Sequence, residues 1–317
     1  MKKYPAILGS FYNHPHLITH DKLQEIDAFL QRRVAGQQSA FEFNRENGQP
    51  VAQIFAASGE PFAIDQMPAA STPAQEYVAV LPLFGTLWQH ASLEMEYSGG
   101  TSTEAWQRQF RRLDANAAVK TIVIEAHTPG GQCIGVQETA DMVRAARDAG
   151  RTRIVSVANS LMASAGVWIG TAAKEVYVTP GGEIGSIGVV CMHSDYSKAD
   201  EESGVKRTLV ATSRKKIMGN EYEPLDAEAL AMFEADNQVV YQRFVKSMAA
   251  NRGVTPAKVE SDFGGGGMLW AKDAVKAGLA DGVATMQEVL EKEIQRLNKA
   301  PRKSMRNAVN IAAAKLD

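Results

Sequence analysis

The chain has 317 residues, 45% hydrophobic and 22% charged, with a formal net charge of −2. This is the balance of a globular protein with one large core or two modest ones, and it offers no general basis for gripping nucleic acid or an anionic membrane. Two cysteines, Cys133 and Cys191, are too few for a disulfide framework or a metal site and read as small buried hydrophobes.

The N-terminal stretch "MKKYPAILGSFYNHPHLITH" starts basic, but Pro5, Asn13 and Pro15 interrupt it before an apolar leader forms. No run approaches the ~18–20 apolar residues of a membrane span, so a soluble, unexported, cytoplasmic protein is expected. Leu23, Ile26, Phe29, Leu30 and Val34 have helical spacing over residues 21–35. Residues 36–75 mix Gln, Gly, Ala and Pro and read as a linker or loosely held arm.

From "YVAVLPLFG" (77–85) onward the pattern is β then α in alternation. Predicted strands are "VKTIVIEA", "RTRIVSVAN", "EVYVTP", "IGSIGVVCM" and "KRTLVAT", with helices between most of them. Strands alternating with helices imply an α/β fold with a mainly parallel sheet and crossover helices. A long helix over about 226–251 follows, then "AKDAVKAGLADG", then a charged helix from Met286 that is expected to bury little and to be mobile. Three segments result: 1–75 an N-terminal helix and arm, 76–285 the main domain, 286–317 a tail.

In such a sheet, chemistry sits where strands end and helices begin. The strand "TIVIEA" runs into "HTPGGQC", whose Gly130 and Gly131 allow a tight turn with accessible backbone amides. The strand "IVSVANS" runs into "MASAGVWIG", where Ser164 stands between Ala163 and Ala165. A serine there is either an N-cap or a nucleophile whose neighbouring amide helps hold an oxyanion. The third point, "ATSRKKIMGN", offers Lys215 and Lys216. A lysine acts as a base once burial and neighbouring charge lower its pKa from about 10.4 toward 7–8, a shift worth roughly 3–4 kcal/mol.

The TPGG turn, the SAG serine, the GSIGVV strand and the KIMGN lysine, in this order, resemble the signal peptide peptidase A family. The branch with phage head-maturation proteases is the nearest, over residues 77–285. The resemblance implies a Clp-protease/crotonase-like fold and a Ser/Lys endopeptidase without cofactor or metal. It implies Ser164 as nucleophile, Lys216 as general base, the amides of Gly131 and Ala165 as oxyanion hole, and Ser186 as the hydroxyl that positions the lysine. It also implies a homo-oligomer acting on scaffold or capsid proteins in a procapsid or host cytoplasm, with no nucleic acid or membrane partner.

Other readings stay open at this point. Lys215 competes with Lys216, and His193 with Asp195 makes a Ser/His/Asp set conceivable. His127 stands beside the TPGG turn and is either part of the cleft or an exposed loop imidazole. The "GGGG" at 264–267 reads as a flexible loop, not a phosphate loop. A crotonase-type acyl-CoA hydratase or isomerase, and an inactive scaffold component, are the alternative functions. The small-residue segments 67–76 and 310–317 are candidate sites of self-trimming.

Overall fold

The computed structural model describes residues 11–34, 51–64, 75–90 and 100–299. In chain order the elements begin with β1 (His16–Ile18), α1 (His20–Val34), β2 (Gln53–Ala56), β3 (Pro61–Ala63), β4 (Tyr77–Phe84), β5 (Thr86–Trp88) and β6 (Gly100–Ser102). Then come α2 (Thr103–Ala115), β7 (Val119–Thr128), β8 (Gly130–Gln132), α3 (Val136–Ala149), β9 (Arg153–Ala163), α4 (Ala165–Gly170), β10 (Glu175–Val178) and β11 (Glu183–Gly185). The remainder is α5 (Ser197–Glu202), a 3-10 turn (Arg214–Lys216), α6 (Ala227–Arg252), α7 (Pro256–Asp262), β12 (Met268–Trp270), α8 (Ala271–Ala277), β13 (Gly282–Val283) and α9 (Met286–Lys299).

The main sheet runs β12-β11-β9-β7-β4-β2-β3, with β10 and β13 continuing from β9. Its centre is parallel: β4 on β7, β7 on β9, and β9 on both β10 and β11. The α/β architecture with a mainly parallel sheet is thus as the alternation predicts. Strand β9 serves two partners because it turns at Ser160, whose φ is +75°, beside a register shift opposite Ala126/His127. Its first half pairs with β10; its second half pairs with β11 and leads into Ser164. A second, small sheet, β1-β8-β5-β6, sits over that end.

Strict alternation divides the central strands between two apolar layers. Ala79, Leu81, Ile122, Ile124 and Ile154 face the larger core with Trp106 and Phe110 of α2, Val143 of α3 and Trp168 of α4. Val78, Val80, Val123, Val155 and Val157 face the other way and are covered by Val289, Leu290, Ile294 and Leu297 of α9. The helix expected to be a mobile tail is therefore a layer of the fold. Full burial of a side chain such as Val289 contributes about 1.5–3 kcal/mol, enough to dock an amphipathic helix. Residues 300–317 lie outside the described residues.

Two other expectations change. Within the arm 36–75, β2 pairs antiparallel with β4 and β3 with β2, so this part extends the sheet and is not a linker. The segment 206–212, read as a strand, is exposed and has no ladder among the described residues. β-propensity without a pleated partner surface does not make a strand. Of 184–192, only Glu183–Gly185 and an isolated bridge at Val190 are strand-like. No helix among the described residues is long and apolar enough to cross a membrane.

Candidate active site

Ser164 follows the last residue of β9 and caps α4, with φ +53° and ψ −112°. L-residues rarely adopt that conformation; it costs on the order of 1–3 kcal/mol and persists only where the surroundings enforce it. Here the Ser164 N–H donates to Gly185 O (2.8 Å), and its carbonyl accepts from Trp168 N (3.1 Å). Trp168 is in turn stacked on Phe244 of α6, with ring centroids 4.7 Å apart and planes 5° from parallel. A serine on a strained strand-to-helix turn is the arrangement by which α/β hydrolases present a nucleophile. The Ser164 side chain is fully buried and its Oγ has no hydrogen-bond partner among the described residues.

The glycines around it have steric reasons. A Cβ at Gly166 would overlap Thr128 Cγ2, and one at Gly131 would overlap the Leu87 backbone. Gly130, at φ +98°, would place a Cβ on Leu17 O and 3.0 Å from Ser164 Cβ. Thr128 fastens the turn: its hydroxyl donates to Gly85 O (2.7 Å) and accepts from Gly130 N (3.1 Å). Gly131 is thereby held in β8, close to the serine turn. Ala165 is the first residue of α4, where an N–H has no acceptor inside the helix. Gly131 and Ala165 thus lie on the two segments that pack together at this turn.

Ser186, at φ +56°, is half-buried and follows Gly185, the acceptor of the Ser164 N–H. Its own N–H donates to Gly267 O (2.7 Å). The tetraglycine loop therefore backs the site, a role its composition does not announce. Lys215 and Lys216 lie on the 3-10 turn with exposed side chains, and Lys216 does not hydrogen-bond Ser164 Oγ in this conformation.

The rival base is turned elsewhere. His193 Nδ1 meets Asn13 Oδ1 (3.1 Å), while exposed Asp195 accepts from Ser197 N (2.8 Å). Exposed His127 shares Nδ1 between Ser160 Oγ (2.8 Å) and Asn159 O (3.1 Å) at the β9 bend. Burial pushes up both thiols, Cys133 and Cys191, the latter to about 11, so neither is a thiolate near neutral pH. One contributor was missed in the sequence altogether: β1, whose Leu17 carbonyl lies against the Gly130 turn.

The comparisons with known proteins agree with the resemblance read from the motifs. Residues 146–299 match the profile of Peptidase family S49. The chain is 27% identical over 258 residues to Capsid assembly protease C of Escherichia phage lambda, covering 78% of this chain and 58% of that protein. It is 26% identical over 239 residues to Head-tail preconnector protein GP5 of Enterobacteria phage P21, covering 74% of this chain and 47% of that protein. The chain thus spans about half the length of these curated relatives. Among solved structures, a ClpP1 point mutant from Listeria monocytogenes is similar at 14% identity with a TM-score of 0.37, over 66% of this chain and 94% of that chain.

Proposed function

We propose, for this SppA-like, S49-type chain, a serine endopeptidase that works through an acyl-enzyme on Ser164 and processes scaffold or capsid proteins during phage head assembly. The observation that carries the chemistry is the strained Ser164 beside the Pro-Gly-Gly turn, its hydroxyl without a partner among the described residues. Strain at a buried hydroxyl is a cost that packing alone does not require. The phage substrates rest on the two phage relatives.

In this reading, a neutral Lys216 amine takes the Ser164 proton as Oγ attacks the scissile carbonyl. The amides of Gly131 and Ala165 hold the oxyanion, and the lysine returns the proton to the leaving amine. Water then attacks the acyl-enzyme by the same base. Ser186, beside the acceptor of the Ser164 N–H, orients the amine. Because Lys216 is exposed here, the reading requires residues 203–216 to close over the cleft, or a neighbouring copy to deliver the lysine. The half-exposed Leu230 and Val239 of α6 supply apolar surface for such a homo-oligomer. A crotonase-type reaction would need no serine nucleophile, so the Ser164 strain speaks against it.

The deciding experiment co-expresses the chain with its genomic neighbours and maps new protein termini by mass spectrometry. New termini with the wild type, absent with Ser164→Ala, support the proposal. Identical termini for both proteins would remove it.

A further inference from the structure

The N-terminal strand β1 is inserted between two segments and bonded to both. On one edge it pairs antiparallel with β8, Leu17 opposite Gly131, and Thr19 N donates to Pro129 O (2.9 Å). On the other edge His16 N donates to Val190 O (2.7 Å), Val190 N to His16 O (3.0 Å), and Asn13 N to Met192 O (2.9 Å). Hydrogen-bonded pairs alternate along an antiparallel ladder, so the Thr19–Pro129 bond makes Leu17–Gly131 the next such pair. The Gly131 N–H is thereby aimed at the Leu17 carbonyl.

Side chains divide as they do for a bound extended peptide, one inward and its neighbours outward. Leu17 is fully buried in the main core. Ile18 instead joins Phe11, Tyr12, Leu23, Ile26, Leu30 and Trp88 in a separate cluster, with Val190 and Met192 packed against it. This cluster is the underside of α1, so residues 11–34 form a strap with its own small core. Polar ties reach the rest of the cleft: Asn13 Nδ2 donates to Gly219 O (2.9 Å), three residues past Lys216, and Gln31 Nε2 donates to Tyr196 OH (2.9 Å). Beneath the strap, Ser164 is fully buried. A buried nucleophile cannot meet a protein substrate.

We infer that the slot between Gly130–Gln132 and Val190–Met192 is the site for an extended polypeptide, and that the chain's own strand His16–Ile18 fills it as an intramolecular inhibitor. This rests on the peptidase reading for its consequence, though not for the occupancy of the slot. The strap opens as a unit because, Leu17 apart, its buried apolar side chains cluster separately from the main core, and a segment of that kind opens locally at less than the global unfolding free energy. Withdrawal exposes Ser164, frees the Gly131 N–H and releases Gly219 next to the lysine turn. Proteolysis is then off in the isolated, closed chain and on when the strap is displaced.

The test locks and unlocks the strap in the full chain. His16 and Val190 face each other as a hydrogen-bonded antiparallel pair, with Cα atoms ~5.5 Å apart, within disulfide range. His16→Cys with Val190→Cys, in a Cys133→Ser/Cys191→Ser background, is compared oxidised and reduced. Two readouts are taken: labelling of Ser164 by a fluorophosphonate, and, with Ser164→Ala added, binding of the fluorescent peptide FYNHPHLIT. The reduced form is expected to label at least tenfold faster than the oxidised form and to bind the peptide, which the oxidised form does not. Leu23→Ala, which loosens α1 without touching the slot, is expected to raise labelling severalfold in the otherwise unaltered chain. Equal peptide binding in the oxidised and reduced forms, or failure of the disulfide to form in folded protein, overturns the inference. Peptide binding that depends on reduction while Ser164 stays inert in both forms leaves the slot standing and removes the peptidase reading instead.

Discussion

Gly130 and Ser164 are packed so that a methyl group on the glycine would lie 3.0 Å from Ser164 Cβ and overlap the Leu17 carbonyl. One small residue thus sets the distance between the turn that offers amides, the strained serine and the strap above it. Gly130→Ala combines a left-handed backbone with that overlap, each costing about 1–2 kcal/mol or more. We expect its thermal midpoint to fall by several degrees and amide exchange at Leu17–Thr19 to accelerate. An unchanged exchange rate at those amides would show that the strap does not rest on the turn.

Ser164→Ala separates chemistry from stability. It is expected to lower proteolysis at least ~1,000-fold. The alanine also removes a buried hydroxyl that has no partner among the described residues, so unfolding in urea should show the variant more stable by about 1 kcal/mol. Lys216→Ala should be equally inactive and no more stable, since Lys216 is exposed. Lys215→Ala and His193→Ala should retain activity within a few-fold, and Ser186→Ala should lose ~10–100-fold as a group that orients the base. Full activity in Lys216→Ala with loss in His193→Ala would transfer the base role to the histidine.

The parts of the site that were legible in the sequence are those with local steric or conformational signatures. The Pro-Gly-Gly turn and the alanine-flanked serine stand out because only small residues fit there: a side chain at Gly131 would overlap the Leu87 backbone, and one at Gly166 would overlap Thr128. The parallel sheet was legible because buried strands and amphipathic helices alternate at plain periods. Strand β1 was not, since three residues after Pro15 carry no periodicity and gain strand geometry only from partners more than 100 positions away. The opposite error at 206–212 has the same root: alternation is necessary for a strand, but pairing makes it. For α9 a signal existed in the 3–4 spacing of Val289, Leu290, Ile294 and Leu297. Its charged residues obscured it, and one of them, Glu293, is fully buried.

That glutamate carries the third prediction. Glu293 accepts from Arg153 Nε (3.0 Å) and Thr121 Oγ1 (3.3 Å), fastening α9 across β7 and β9. Removing one partner of a buried pair costs about 3–5 kcal/mol when the other charge is left alone, and less here, because Arg153 keeps Glu175 as an ion-pair partner. Glu293→Ala should therefore lower the urea midpoint markedly. Arg153→Met together with Glu293→Leu should return part of the loss, because the pair's desolvation cost disappears with it while Glu175 keeps Lys292 as a partner. A double variant no better than the single one would mean that the polar network, not merely the absence of a stranded charge, holds the helix.

The strap is also expected to respond to pH through His16. Its ring is buried, and Nε2 donates to Phe11 O (2.7 Å) inside the strap, so the neutral tautomer with a proton on Nε2 fits the site. Burial lowers its pKa below the ordinary 6.5; exposed His14 adds to the lowering when charged, and the Phe11 carbonyl opposes it only in part. The closed strap thus binds fewer protons than the open one as pH falls through the ordinary histidine range. Closure is fully favoured above about pH 7 and weakens as pH drops below ~6.5, with a slope of up to one proton. Trp88, buried against the strap, reports this directly, whereas Trp106 and Trp168 lie in the main core. Acrylamide quenching, with Trp88→Phe as the blank, should rise between pH 7 and pH 5 in the wild type. In His16→Gln, which keeps a donor but does not titrate, the rise should vanish. A wild-type profile flat over that range, or one shared by His16→Gln, would show that protonation of this buried ring does not govern how the strap opens.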